Sequence, residues 1–319
     1  MNPSQSQPRL HTPVLLQLSM EALGLVEPPQ PAATGEWIVV DATLGEGGHA
    51  GEILRRLRIV DAAGKLIGIE RDPRMLAALG LVDPRLVVVE GNFRDLGRIV
   101  ASFGHDRVKA VLADLGVSTR HYRTPEWGFS FVDGPLDMRL GVEGPTAADV
   151  VNRWLEPDLA RLFLDAGERR GRRIARALVD ARKKTPIRRT SELADLLRKA
   201  IGGGRSGSHP ATKVFRALRE AVTGEMKDLA ALIPAAAAVL VPGGRLAILA
   251  YTWEEERLVR TETDALVKGC ICPPDFPECR CGRKPLLRWV TRRGVRPAAA
   301  EIRSNPSARS AKLFVIERI

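Results

Sequence analysis

Three carboxylates stand where short apolar runs end: Asp41 after Trp37-Ile-Val-Val40, Glu70 after Leu66–Ile69, and Asp114 after Val108–Leu112. The first opens the glycine-rich string Asp41-Ala-Thr-Leu-Gly-Glu-Gly-Gly-His49, directly ahead of a helical pattern from Ala50 to Arg58. A strand that ends in an acidic residue and turns through glycines into a helix presents bare backbone to a nucleotide-like ligand. A carboxylate about twenty to thirty residues further on, where Glu70 stands, can accept both hydroxyls of a ribose. Gly91-Asn-Phe93, after a third run, sets an aromatic ring where it can cover a base. The glycine spacing is not G-x-G-x-x-G, which disfavours a nicotinamide dehydrogenase. Each residue also has a plainer use: Asp41 can cap the turn, Glu70 can cap the helix starting near Pro73, Phe93 can be core, and His49 can cap or pack.

The elements that must position these residues alternate. Trp37–Val40, Leu66–Ile69, Leu86–Val89 and Val108–Leu112 read as buried parallel strands, with helices at Ala50–Arg58, Pro73–Leu79 and Asp95–Phe103 between them. After Asp114 a glycine- and proline-punctuated stretch leads into amphipathic helices at Ala147–Ala166, Arg172–Lys183 and Ser191–Ala200, closed by the glycine-rich linker Gly202–Ser208. A helix from Ala211 to Leu240, the turn Pro242-Gly-Gly244 and a strand from Arg245 to Tyr251 resume the first pattern. Two late strands, Leu286–Thr291 and Lys312–Glu317, can pair as an antiparallel edge. The order of parts resembles that of the α/β, class I Rossmann-like sheet of S-adenosylmethionine-dependent methyltransferases, interrupted by an inserted helical domain. The expected divisions are 1–118 and 210–319 for the sheet domain and 119–209 for the insertion, with S-adenosylmethionine as cofactor.

The charge is clustered. Of 49 basic and 38 acidic residues, net +11, the segment Gly167–Arg189 holds ten basic and two acidic, and Arg280–Ile319 holds eleven and two. One such run is usually a solvated helix face; two in one chain point toward a polyanion such as nucleic acid. Aromatic residues make up 5%, which argues against a broad base-stacking platform. No apolar run approaches the roughly eighteen residues of a membrane span, and the polar Met1–Pro8 lacks a signal-peptide core, so a cytoplasmic protein without a membrane partner is expected. All four cysteines fall in Cys270-Ile-Cys272 and Cys279-Arg-Cys281. They can supply four thiolates to zinc, remain a reduced thiol cluster, or form a local disulfide, and the C-x-C spacing does not choose between these. The expected reaction centre contains no metal.

The chain resembles the ribosomal RNA small subunit methyltransferase H family, which makes N4-methylcytidine in the decoding region of bacterial 16S rRNA. The resemblance runs over nearly the whole chain. It is carried by His11-Thr-Pro-Val-Leu-Leu16, Asp41–His49, Ile69-Glu-Arg-Asp-Pro73, Asp114-Leu-Gly-Val-Ser118, Gly128-Phe-Ser-Phe131, Gly134-Pro-Leu-Asp-Met-Arg139 and Gly167-Glu168. It continues through Arg173-Ile-Ala175, His209-Pro-Ala-Thr212, Ala217-Leu-Arg219, Pro242-Gly-Gly-Arg-Leu246 and Asn305–Leu313. It implies cofactor contacts at Gly47, Gly48, His49, Glu70, Phe93 and Asp114, with His121 where the family usually has glutamine. It also implies 16S rRNA or the small ribosomal subunit as partner, with the basic insertion facing RNA. Oligomeric state is not fixed by the sequence, and a homodimer is one arrangement.

The same resemblance makes the exocyclic amine of cytosine the target. Such an amine is a poor nucleophile because its lone pair is delocalised, and acceptors for its two hydrogens favour the pyramidal amine of the transition state. Asp114, with nearby backbone carbonyls, is the candidate catalytic acceptor; a cofactor-side or turn-capping carboxylate is its plainer reading. The signature Asp-Pro-Pro-Tyr of amino-methyltransferases is absent, since Leu115-Gly116 follows Asp114. Departures from the family pattern lie at Thr119–Arg123, at Trp127, at Thr223-Gly-Glu-Met226 and at Ala250–Arg257. The alternatives are a diverged paralogue acting on another RNA and a non-catalytic RNA- or ribosome-binding protein of the same fold.

Overall fold

The computed structural model describes residues 12–26, 37–141, 143–202, 210–272, 278 and 280–319. His11, 203–208 of the expected linker, His209 and Cys279 lie outside the described residues.

The apolar runs become the strands of one seven-stranded sheet: β1 (Ile38–Asp41), β2 (Lys65–Glu70), β3 (Leu86–Glu90), β4 (Val108–Asp114), β5 (Leu240–Ala250), β6 (Leu287–Trp289) and β7 (Lys312–Arg318). Their order is β3-β2-β1-β4-β5-β7-β6. The first five are parallel, β7 runs antiparallel to β5, and β6 antiparallel to β7. This is the class I methyltransferase arrangement expected from the order of parts.

Helices cover both faces of the central strands, so their successive residues are buried on opposite sides and read as unbroken apolar runs. β3, expected to be buried, lies at the sheet's edge and is only partly so, with Val88 exposed. Val40, Ile67, Val111 and Ile248 face one core with the helices Leu96–Ser102 and Glu225–Val239. Val39, Leu66, Leu112 and Leu249 face the other, with the helices Leu16–Ala22 and Gly48–Val60. Strand order reverses where β1 lies between β2 and β4, and that switch point opens a crevice beyond the strands' carboxyl ends. Asp41 and Asp114 both stand at this edge.

The chain forms two units, one from residues up to Gly116 together with Met226–Ile319, the other Val117–Glu225. The second is helical. Thr146 and Asp149 form a capping box at the start of the helix Ala147–Arg153. The helices Glu156–Asp165, Gly171–Arg182, Thr190–Ile201 and Thr212–Thr223 share one apolar core with it, including Val150, Phe163, Ile174, Leu178, Leu197 and Leu218.

Several expected elements are divided or moved. The helix expected over Ala147–Ala166 breaks because Trp154 and Leu155 are extended, and Pro157 begins a new first turn. The helix expected over Ala211–Leu240 breaks at Gly224, whose left-handed φ of 68° caps Thr212–Thr223. That break places Thr212–Thr223 in the helical unit, which therefore runs past the expected boundary at 209. β5 begins at Leu240, earlier than the expected Arg245, with Leu240 paired to Val108 and Arg245 to Ala110. The edge strand β6 is shorter than the expected Leu286–Thr291. Among the described residues no helix is long and apolar enough to cross a membrane.

Candidate active site

The glycine-rich turn after β1 is held from both sides. The Thr43 N–H donates to Asp41 Oδ1 at 3.1 Å, and the Thr43 hydroxyl accepts from the Asp114 N–H at 2.7 Å, so one threonine ties the ends of β1 and β4 together. Gly47 adopts φ 74°, which L side chains rarely reach, and its N–H donates to the Leu44 carbonyl at 2.8 Å. A Cβ on Gly48 would stand 2.6 Å from Pro13, so the N-terminal segment packs directly on the turn.

His49, in the first turn of the helix Gly48–Val60, is buried. Its Nε2 lies 3.1 Å from the Val14 carbonyl, which assigns the proton to that nitrogen. Its Nδ1 lies 3.6 Å from Asp114 Oδ2. Burial pushes the His49 pKa down, against the attraction of Asp41, so the neutral ring turns a lone pair toward the Asp114 carboxylate. The His49 lone pair and the Asp114 carboxylate thus face each other beside the glycine-rich turn.

Asp41 is 1% exposed, and burial pushes its carboxyl up to about 6 despite the nearby His49, with Asp114 and Glu70 adding like charge. Its Oδ2 is buried without a hydrogen-bond partner. Across the crevice, Glu70 accepts from the Gly45 N–H at 3.0 Å and from the Asp72 N–H at 2.8 Å, which fixes its carboxylate at the end of β2. Phe93 begins a single 3-10 turn after β3 and is half-buried, with part of its ring on the core.

Two residues of this edge were not among the expected site. Tyr251, just past β5, donates its hydroxyl to Asp114 Oδ1 at 2.6 Å. Burial and the adjacent Asp114 raise the Tyr251 pKa well above its ordinary value, so it remains a donor. Asp228, on the helix Glu225–Val239, accepts from Asn92 at 2.6 Å, Arg71 at 3.1 Å and Arg94 at 3.3 Å. It therefore joins the loops after β2 and β3, the first beginning just past Glu70 and the second containing Phe93. The sequence signal for Tyr251 was its place in a segment that departs from the family pattern; Asp228 had none.

His121 belongs to the helical unit. It is buried on the short helix Thr119–Arg123, with its ring edge-on to Trp127 at 5.1 Å and to Phe129 at 5.0 Å.

The model of the MraW methylase family matches residues 8–319. The chain belongs to that family. Relatives include the ribosomal RNA small subunit methyltransferase H of Heliobacterium modesticaldum, 39% identical, covering 97% of this chain and 98% of that protein. The enzyme of the same name from Thermomicrobium roseum is 42% identical over 97% of this chain and 94% of its own. A solved structure described as a putative rRNA-methylase from Clostridium thermocellum aligns with TM-score 0.43 and 14% identity, over 97% of this chain and all of that one.

As a member of the MraW methylase family the protein is a methyltransferase whose donor is S-adenosylmethionine. The residues present fit that donor. Its ammonium and sulfonium are cationic, and the crevice offers the unpartnered Asp41 Oδ2, the Asp114 carboxylate and the neutral His49. Glu70 is held by two N–H groups at the end of β2, and Phe93 lies just past the end of β3.

Proposed function

We propose that this methyltransferase acts on the N4 amine of a cytidine in the decoding region of 16S rRNA, with the small ribosomal subunit as its partner in the cytoplasm. The names of the relatives support the substrate class. The observation that carries the chemistry is the convergence of Asp114 Oδ2 and His49 Nδ1, 3.6 Å apart, beside the glycine-rich turn. The cofactor contacts in this reading are Gly47, Gly48, His49, Glu70, Phe93, Asp114 and His121.

When bound, the donor supplies an electrophilic methyl group on sulfur, so the protein's task is alignment at near-attack distance. Asp114 accepts a hydrogen of the incoming amine, which draws its lone pair out of the ring and toward the methyl. Tyr251 holds the Asp114 carboxylate in one orientation by donating to its other oxygen. The amine's proton leaves through Asp114 after transfer.

A cytosine in folded RNA must turn out of its stack to meet the methyl, and the flanking phosphates need a grip meanwhile. Arg169, Arg170, Arg172, Arg173 and Arg176 are exposed, at or just before the helix Gly171–Arg182, whose Ile174, Ala175 and Leu178 are buried. That polarity supports an RNA-facing surface. A homodimer is compatible with this reading and is not required by it.

The test is transfer of labelled methyl to small ribosomal subunits, free 16S rRNA and DNA, followed by nucleoside analysis. N4-methylcytidine at one decoding-region position is expected. Donor binding with no transfer to any of the three would instead favour a non-catalytic RNA-binding protein, and transfer to another RNA would favour a diverged paralogue.

A further inference from the structure

We propose that Cys270, Cys272 and Cys281 bind a zinc ion that clasps the connection between the helix Trp253–Lys268 and β6. The three sulfurs all lie within 4.8 Å of one another, and none is in a disulfide. Cys270 and Cys281 have their sulfurs 3.8 Å apart. Thiolates on tetrahedral zinc, with bonds of about 2.3 Å, stand about 3.8 Å apart along each edge. A disulfide would need that pair at about 2.05 Å.

The backbone brings the two arms together before any metal is considered. Gly269 ends the helix at φ 67°, and a Cβ there would stand 2.5 Å from Lys284 C and from Pro285 N. The Leu286 N–H donates to the Leu266 carbonyl at 2.9 Å, closing the base of the connection. Among the described residues of the connection, Ile271 is 62% exposed, and Gly282, Arg283 and Lys284 are exposed. A short segment that cannot bury a core is where a metal contributes folding energy directly.

Three soft thiolates select zinc over magnesium or calcium. On binding, each thiol gives its proton to solvent as its sulfur takes a position on the metal, with no change of oxidation state. The site stands apart from the methyl-transfer chemistry, because it lies at the far end of the helix that begins beside Tyr251.

The experiment is metal analysis of the untagged full-length protein, purified under reducing conditions from zinc-supplemented cells. About one zinc per chain is expected, falling below about 0.2 in a Cys270→Ser/Cys281→Ser variant. Wild-type protein stripped and refilled with Co²⁺ should show sulfur-to-cobalt charge-transfer bands and the strong visible absorption of a tetrahedral thiolate site. The cobalt spectrum decides the matter even if the double variant fails to fold. Under about 0.2 zinc per chain in wild type after incubation with Zn²⁺, unchanged zinc in a folded double variant, or no charge-transfer bands with Co²⁺ would each overturn the proposal. Methyl transfer measured on the same wild-type material keeps failure of this site distinguishable from failure of the proposed activity.

Discussion

The Tyr251 hydroxyl donates to Asp114 Oδ1 at 2.6 Å, while Asp114 Oδ2 faces His49. One carboxylate is thus oriented from the β5 side and used from the β1 side. Tyr251→Phe removes the orienting bond without opening a cavity. A hydrogen bond to a charged group contributes about 1.5–3 kcal/mol, so single-turnover methyl transfer should slow roughly 10- to 100-fold. Donor affinity should move much less, and an equal loss in binding would show that Tyr251 supports the pocket as a whole. Because its pKa lies well above the ordinary range, no loss of the tyrosine proton should appear in the wild-type pH profile near neutrality.

Asp41 makes the stability of the donor-free protein depend on pH in an unusual direction. Its pKa is raised from 3.8 to about 6 by burial, so the folded state holds the proton more tightly than the unfolded chain does. The penalty for ionised Asp41 is fully present above pH 6, declines as pH falls through 6, and is gone below about 3.8. Asp41→Asn should therefore stabilise the donor-free protein at pH 8 by an amount on the order of 3 kcal/mol. Urea melts at pH 8 and pH 4 check this, since the advantage of the variant should vanish at the lower value. The same substitution should weaken donor binding at pH 8, because the orphaned Oδ2 is then no longer an anion.

The sheet was legible because strands buried on both faces leave continuous apolar runs, and because the carboxylates at their ends are separated by ordinary βα units. Glu70 and Asp114 end β2 and β4, Gly47, Gly48 and His49 open the helix after β1, and Phe93 follows β3. What was not legible depends on contacts across long stretches of chain. Thr12 and Val14 lie against Asn305 and His49, so two stretches that carry the family resemblance, near the two ends of the sequence, meet at one place. No local pattern announces such a meeting. The helix breaks at Trp154–Leu155 and Gly224 were obscured for a different reason: apolar periodicity continued across them, and a single glycine or proline outweighed it.

Asp228 is the residue on which the loops after β2 and β3 depend, through Arg71, Asn92 and Arg94. It is buried, whereas Arg94 is more than half exposed, so the Asn92 bond and the Arg71 contact carry most of the effect. Asp228→Ala should cost about 2 kcal/mol in unfolding free energy and loosen both loops. Donor affinity should fall, because one loop adjoins Glu70 and the other holds Phe93, both proposed donor contacts. Calorimetric titration with S-adenosylhomocysteine, which lacks the reactive methyl, reads this directly. Unaltered affinity in a stably folded variant would show that the loops hold their places without it.

The helix Gly171–Arg182 presents Arg172, Arg173 and Arg176 to solvent, opposite the buried Ile174, Ala175 and Leu178. If this face grips phosphates, each arginine releases about one counterion on binding RNA, and the logarithm of affinity falls linearly with the logarithm of salt concentration. Arg172→Glu/Arg173→Glu should weaken binding to small ribosomal subunits and reduce that slope by about two. Donor affinity should be unchanged, since neither residue belongs to the sheet unit that holds the carboxylates. An unchanged salt slope would remove this helix from the RNA interface and leave the basic segment Arg280–Ile319 as the remaining candidate.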